Sequence, residues 1–239
     1  MDSGIEKLKA AINSRGSEFS DEKMTRGRPL TGNVSHRFEM CSRADGSLDA
    51  TRNIQGSNED GSFLKIKQEY DIFYKSLMAK GSLPMRSTEK GFWNSSISEE
   101  IYSAFKKLKI QNYTNFLDLG SGDGKVVLIA SLFCKNAEGI EIDSELHKKA
   151  AEISSKLKIK NAKFQNGDFF DYEISKYDLV FLSPDAPLER GVENKILEEM
   201  DGKLLVYGNH FHPRFLKKEK SFSTNGTIVT LYSRIGTYK

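Results

Sequence analysis

"DLGSGDGK", residues 118–125, places three glycines at alternate positions directly after an apolar run. Ligand loops of three kinds share that look, and spacing separates them. A P-loop requires Gly-x-x-x-x-Gly-Lys-Ser/Thr; Gly124 and Lys125 supply its middle, but Leu119 stands at the first glycine and Val126 at the metal-binding hydroxyl. A dinucleotide fingerprint, Gly-x-Gly-x-x-Gly counted from Gly120 and Gly122, puts Lys125 where the closing glycine must let helix and strand pack closely. What remains is acidic-x-Gly-x-Gly-x-Gly: an acid at a strand end, then a backbone that a ligand can approach without meeting side chains.

Outward from the loop, the chain alternates apolar runs with amphipathic stretches. "NFLDLG", "AEGIEID", "AKFQNGD", "YDLVFLSPD" and "GKLLVYGN" read as strands, with helices over "KVVLIASLF", "SELHKKAAEISSKL" and "LERGVENKILEEM" between them. Strand and helix in alternation predict a doubly wound α/β domain, its mostly parallel sheet covered on both faces. "FSTNGTIVTLYSRI" differs, because its Asn225-Gly226 turn signal predicts an antiparallel addition at the C-terminal end.

Before the loop the composition divides the chain near residue 61. Residues 1–61 are rich in Ser, Gly, Asn, Asp and Arg, and apart from a short helical pattern (Ile5, Leu8, Ile12) carry too little apolar surface to offset the entropy of ordering, which predicts a mobile polar arm. Its "RGRP" (26–29) matches the core of a minor-groove hook, but so short a match in a polar segment reads as solvated loop. Residues 62–111 form a helical segment: Phe63, Ile66, Tyr70, Phe73 and Leu77 share one helical face that Gly81 ends, and Ile97, Ile101, Phe105 and Leu108 share another behind an N-terminal signal of Ser98 and two glutamates. Residues 112–239 are the remaining domain.

With 239 residues and 38% hydrophobic content, the chain can bury one substantial core. A net charge of +3 permits an acidic partner without requiring one. The two cysteines lie far apart, no stretch is long and apolar enough to span a bilayer, and no signal-peptide pattern opens the chain, so a cytoplasmic protein is expected. His210, His212 and Cys134 lack further ligands at the spacing of a closed site, so no metal is expected.

In a doubly wound sheet, ligands sit at the carboxyl ends of the strands. The glycine loop lies at the first such end, with Asp118 able to meet a cationic group. Glu141 ends the second strand, about 20 residues on, where a carboxylate accepts both hydrogens of a ribose diol. Asp168 ends the third, placed for an adenine amine, with Phe169 beside it to cover a ring face.

In that order and spacing, "FLDLGSGDG", "GIEID", "NGDFF" and "YDLVFLSPD" resemble the class I seven-stranded S-adenosylmethionine-dependent methyltransferases over about residues 92–235. The resemblance implies S-adenosyl-L-methionine as cofactor and strand order 3-2-1-4-5-7-6 with the last strand antiparallel. It places Asp118, Gly120 and Gly122 around the methionyl part, with Ser121 and Gly124 completing the loop, Glu141 on the ribose, and Asp168 with Phe169 at the adenine.

The acceptor is read from "LSPDAP", where relatives that methylate adenine or glutamine amines have Asn/Asp-Pro-Pro-aromatic; Ser183 and Asp185 break that pattern. The loop and "KLLVYGNHFHP" look instead like the small archaeal and mitochondrial protein lysine methyltransferases, which implies a protein substrate. On that reading Asp185 orients the acceptor amine, Ser183 accepts a hydrogen bond, and Phe92 and Trp93 flank the side-chain stem. Trp93 also reads as an ordinary packed aromatic. RNA is the alternative acceptor, with "RFLKKEK" as a phosphate track, although the basic residues are interspersed with acids; a non-catalytic cofactor-binding scaffold is the third reading.

Overall fold

The structure, a computed structural model, describes residues 52–188 and 191–235. The expected arm therefore lies outside the described residues up to 51, with its "RGRP" and short helical pattern. From Arg52 the chain is already helical: α1 (Arg52–Ala79) starts ahead of the predicted Ser62. Phe63, Ile66 and Tyr70 are its buried contacts, at the helical spacing expected. It ends as Gly81 (φ +78°) lets the Gly81 and Ser82 N–H groups return to the Met78 and Leu77 carbonyls, a paired-bond helix stop that favours glycine.

A short antiparallel hairpin follows, β1 (Met85–Ser87) and β2 (Phe92–Asn94), with Arg86 opposite Trp93. The sequence pattern did not predict it, since three-residue strands are too short to show alternation. Helix α2 (Ser98–Leu108) has Glu99 and Glu100 in its first turn, as acids near a helix N-terminus should be. Ser98, expected as part of the start signal, lies inside the helix; Ile97 caps it without a side-chain bond and is half exposed rather than part of the packed face.

The remaining strands form one sheet: β3 (Asn115–Leu119), β4 (Asn136–Glu141), β5 (Ala162–Asn166), β6 (Leu179–Leu182), β7 (Lys203–Tyr207), β8 (Lys217–Thr224) and β9 (Thr227–Ser233). Their order is β5-β4-β3-β6-β7-β9-β8. Pairing is parallel from β5 through β7, and β9 runs antiparallel to both β7 and β8. This is the order and polarity the resemblance implied. Helices α3 (Lys125–Ala130), α4 (Ser144–Leu157) and α5 (Val192–Glu199) cross between strands. Asn225 (φ 48°) and Gly226 (φ 102°) form the predicted turn between β8 and β9. β8 is an outer strand whose Lys217, Lys218, Glu219 and Lys220 are exposed, with a register shift between Lys218 and Lys220.

Strand alternation sorts the core into two layers. Phe116 and Phe181 join Phe105 of α2 on the side of α1–α3, with edge-on ring contacts to Phe105 at 5.6 and 6.1 Å. Leu117, Leu119 and Val180 pack on the other side with Ile196 of α5. The same alternation carries Asp118 to the face of Phe116 and Ser183 to the face of Phe181. β3 lies between β4 and β6, where chain order reverses, and a crevice opens there at the strand ends.

Candidate active site

The glycine loop is held against β4 from both sides. The Gly120 and Ser121 N–H groups donate to the Ile140 carbonyl at 3.0 and 2.9 Å, and the Gly122 N–H donates to Glu141 Oε2 at 2.7 Å. Glu141 Oε1 accepts the Asp143 N–H at 2.8 Å, so this carboxylate braces the loop as well as facing the cavity. Asp143 in turn caps α4 by accepting from the Glu145 and Leu146 N–H groups.

Helix α1 completes the floor. Tyr70 donates to the Asp123 carbonyl at 2.7 Å and Tyr74 to Asp123 Oδ2 at 2.5 Å. Lys125, almost fully buried, lies over the Tyr74 ring and donates to Ser95 Oγ at 2.7 Å and to the Ser96 carbonyl. These residues lie 29 to 53 positions apart in the chain, and no local pattern marks Tyr70, Tyr74 or Lys125 as site residues.

Two adjoining hollows result. A larger cavity of about 690 Å³ is bounded by Glu141, Asp168, Phe169 and the Ser183–Asp185 loop on one side and by the β1–β2 hairpin on the other. A smaller one of about 60 Å³ is bounded by Asp118, Ser121, Lys125 and Trp93. Gly120, Gly122, Phe92, Trp93 and Ser183 line both. Every residue expected at the site from sequence therefore lines one hollow or the other, except Gly124. At Gly124 (φ +79°) a Cβ would lie 2.5 Å from Ala150 Cβ and 2.6 Å from Phe164, so its place is in the packing of loop against α4 and β5.

Burial pushes the Asp118 carboxyl well above its ordinary range, and the neighbouring Glu141 and Asp123 push it the same way. Glu141 is also raised by burial, against the pull of its backbone donors. The Lys125 ammonium is destabilised by burial, with Asp123 working in the opposite direction. At Asp168 partial burial is outweighed by Lys90 and the Phe170 N–H, and its pKa is lowered. The buried carboxylates thus make a pocket that gains from an incoming cation.

The residues fit S-adenosylmethionine, whose ammonium, sulfonium, ribose diol and adenine amine ask for these groups. At Gly120 (φ +72°) a Cβ would meet nothing within 4 Å, so bare backbone faces open space beside Asp118. Glu141 and Asp168 both present carboxylates on the wall of the larger cavity. Trp93 covers the loop: a Cβ on Gly122 would lie 2.7 Å from its indole, which decides the packed reading of this residue while keeping it on the cavity wall. Among the described residues no group of three or more His, Cys, Asp or Glu side chains is placed to hold a metal ion, and no helix is long and apolar enough to cross a membrane.

The sheet order and polarity match those of Rossmann-like methyltransferase folds. Residues 110–226 match the family model described as a methyltransferase domain. Among solved structures, an RNA methyltransferase from Salinibacter ruber in complex with S-adenosyl-L-homocysteine is similar at a TM-score of 0.52 and 21% identity, over 58% of this chain and 92% of that one. The mitomycin 7-O-methyltransferase MmcR is similar at 0.50 and 14%, over 57% of this chain and 53% of that one. No curated protein matches the sequence.

Proposed function

We propose that the protein transfers a methyl group from S-adenosyl-L-methionine to an amine, and that the amine is a protein lysine. The observation that carries the acceptor is the charge of the larger cavity: among the described residues Glu89, Glu141, Asp168 and Asp185 line it against one cation, Lys90, which is itself paired with Asp168. Such a mouth attracts an ammonium and repels a phosphate backbone. Aromatic Phe92 and Trp93 on its wall suit an alkyl stem bearing a cation.

The cofactor, when bound, supplies an activated methyl on a sulfonium, so little acid–base work falls to the protein. What remains is alignment and removal of one proton from the acceptor. A lysine ammonium, with a solution pKa of about 10.4, must give a proton to water before it attacks, and desolvation between Trp93 and Phe92 favours the neutral form. Asp185, whose Oδ2 accepts the Phe92 N–H in this structure, is the carboxylate that orients the amine once that donor is released. Ser183, at the junction of both hollows, is placed to accept a further hydrogen bond.

Incubation with methyl-labelled cofactor and cell extract tests this. Label is expected to survive ribonuclease, to vanish with protease, and to map to lysine by mass spectrometry. Label lost to ribonuclease alone would make the acceptor RNA and overturn the lysine reading.

A further inference from the structure

The β1–β2 hairpin reaches carboxylates that follow three strands consecutive in the chain, β4, β5 and β6. Arg86 Nη2 lies 2.8 Å from Asp143 Oδ2 and 3.1 Å from Glu145 Oε2, beyond β4. Lys90 Nζ lies 2.5 Å from Asp168 Oδ2, beyond β5. The Phe92 N–H donates to Asp185 Oδ2 at 2.5 Å, beyond β6. The tip fits closely as well, since a Cβ on Gly91 would lie 2.9 Å from the Asp185 carboxylate.

Two of these contacts have a chemical counterpart in the ligands. Asp168 is the acid assigned to the adenine amine, and Asp185 the acid assigned to the acceptor amine. In this structure each already holds a nitrogen donor from the hairpin: the Lys90 ammonium on one, the Phe92 amide on the other. We propose that the hairpin tip is a self-ligand, in which Lys90 and the Phe92 N–H stand in for the adenine and acceptor amines and shield both subsites until the cofactor displaces Lys90. The inference rests on the cofactor reading above.

The physical balance suits reversible displacement. The Lys90 side chain is 57% exposed and its partner 19%, so the pair is a surface ion pair, weak and screened by salt. An adenine amine arriving at Asp168 replaces one donor by another, while the released ammonium regains its water. The base of the hairpin is better anchored, through Trp93 buried against Gly122 and through the Lys125 bonds to Ser95 and Ser96. Displacement therefore lifts the tip and leaves the Trp93 indole seated on Gly122, but with its outer edge more open to small solutes once the tip beside it has moved. Loss of the Lys90 tie also loosens Phe92 from Asp185, which makes the acceptor subsite available after the cofactor has arrived: cofactor first, acceptor second. Lys90 is in this sense a positioning residue.

The test is calorimetric titration of the full chain with S-adenosylhomocysteine at low and high NaCl, with acrylamide quenching of Trp93, the chain's single tryptophan, in the absence of ligand. Lys90→Ala removes the competitor, so it is expected to bind about threefold to tenfold more tightly at low salt, to lose most of that advantage at high salt, and to raise the quenching of Trp93. Lys90→Arg should behave as the parent protein. Weaker binding by Lys90→Ala would make Lys90 a ligand contact and overturn the proposal, as would unchanged affinity with unchanged quenching. If the parent protein binds but the variant shifts the wrong way, only this inference falls; if the parent protein gives no heat, the cofactor reading falls with it.

Discussion

The floor of the site and its roof are built by opposite means. The floor, residues 118–125 with Glu141, is buried except at Gly120, tied by backbone hydrogen bonds and braced by hydroxyls from α1. The roof, the hairpin of residues 85–94, is mostly exposed and is tied down by three ion pairs, one amide and the buried Trp93. A buried carboxylate must have its position fixed by the fold, because an unpaired charge in the interior is costly. A surface ion pair can be made and broken on each cycle, because water compensates either state. The difference separates what recognises a ligand from what admits it.

That contrast breaks most visibly at Gly124. Gly124→Ala places a methyl against Ala150 and Phe164 at a left-handed φ, and is expected to destabilise the protein by about 2–5 kcal/mol, the sum of backbone strain and overpacking. Urea unfolding measures it, and a loss below 1 kcal/mol would mean that the floor yields as readily as the roof.

Asp118→Asn should act next. If, as the reading proposes, Asp118 meets the cofactor's cation, the change weakens affinity by about 1.5–3 kcal/mol, yet leaves the free protein as stable or more so, because it removes a carboxylate disfavoured by burial and crowded by Glu141 and Asp123. In the parent protein, protonated Asp118 cannot hold an ammonium, so cofactor affinity falls as pH drops through the folded-state pKa. Burial lifts that value above the ordinary 3.8, so the loss begins at a higher pH than for an exposed aspartate. The free protein carries the opposite sign: the Asp118 contribution to stability is whole below the unfolded pKa and is lost as pH rises through the folded one. Calorimetry and melting curves across the acid range read the two trends separately, and parallel trends would remove Asp118 from the cofactor's cation.

The smallest stability effect belongs to the roof. Arg86→Ala should change unfolding free energy by no more than about 1 kcal/mol, since Arg86 and Glu145 are solvent-exposed and Asp143, though mostly covered, keeps the backbone donors of α4. Its mark is on ligand exchange, measured by stopped-flow Trp93 fluorescence; a large loss of stability with unaltered exchange would make the hairpin part of the floor.

The floor was legible in the sequence because its signals are local. An apolar run with period two, three glycines and acids at successive strand ends fix Asp118, Glu141 and Asp168 without knowledge of distant contacts. The strand order needed more than periodicity and came from the family resemblance. The roof left no such trace. Arg86 and Lys90 sit in a polar stretch that reads as loop, and their meaning arises only when folding brings Asp143 and Asp168 beneath them. Tyr70 and Tyr74 carry the same lesson from the other side: their ring spacing marks a packed helix face, while the hydroxyls that reach Asp123 are invisible in that pattern. Gly124 was read as a ligand glycine from its place in the loop, and the close approach of Ala150 and Phe164 assigns it to packing.

The outer strand β8 has a consequence for how the molecule behaves in a crowd. An open sheet edge is a template on which another chain can add a strand, and the first step toward fibrous aggregates is often that addition. Here the edge displays Lys217, Lys218 and Lys220 with a shift in register at Glu219, so a second copy of the same strand meets like charge and a mismatched ladder of donors and acceptors. The sheet thus ends in a strand that discourages its own extension, and the lysines that a nucleic-acid reading would assign to phosphate have a sufficient role in keeping copies of the protein apart.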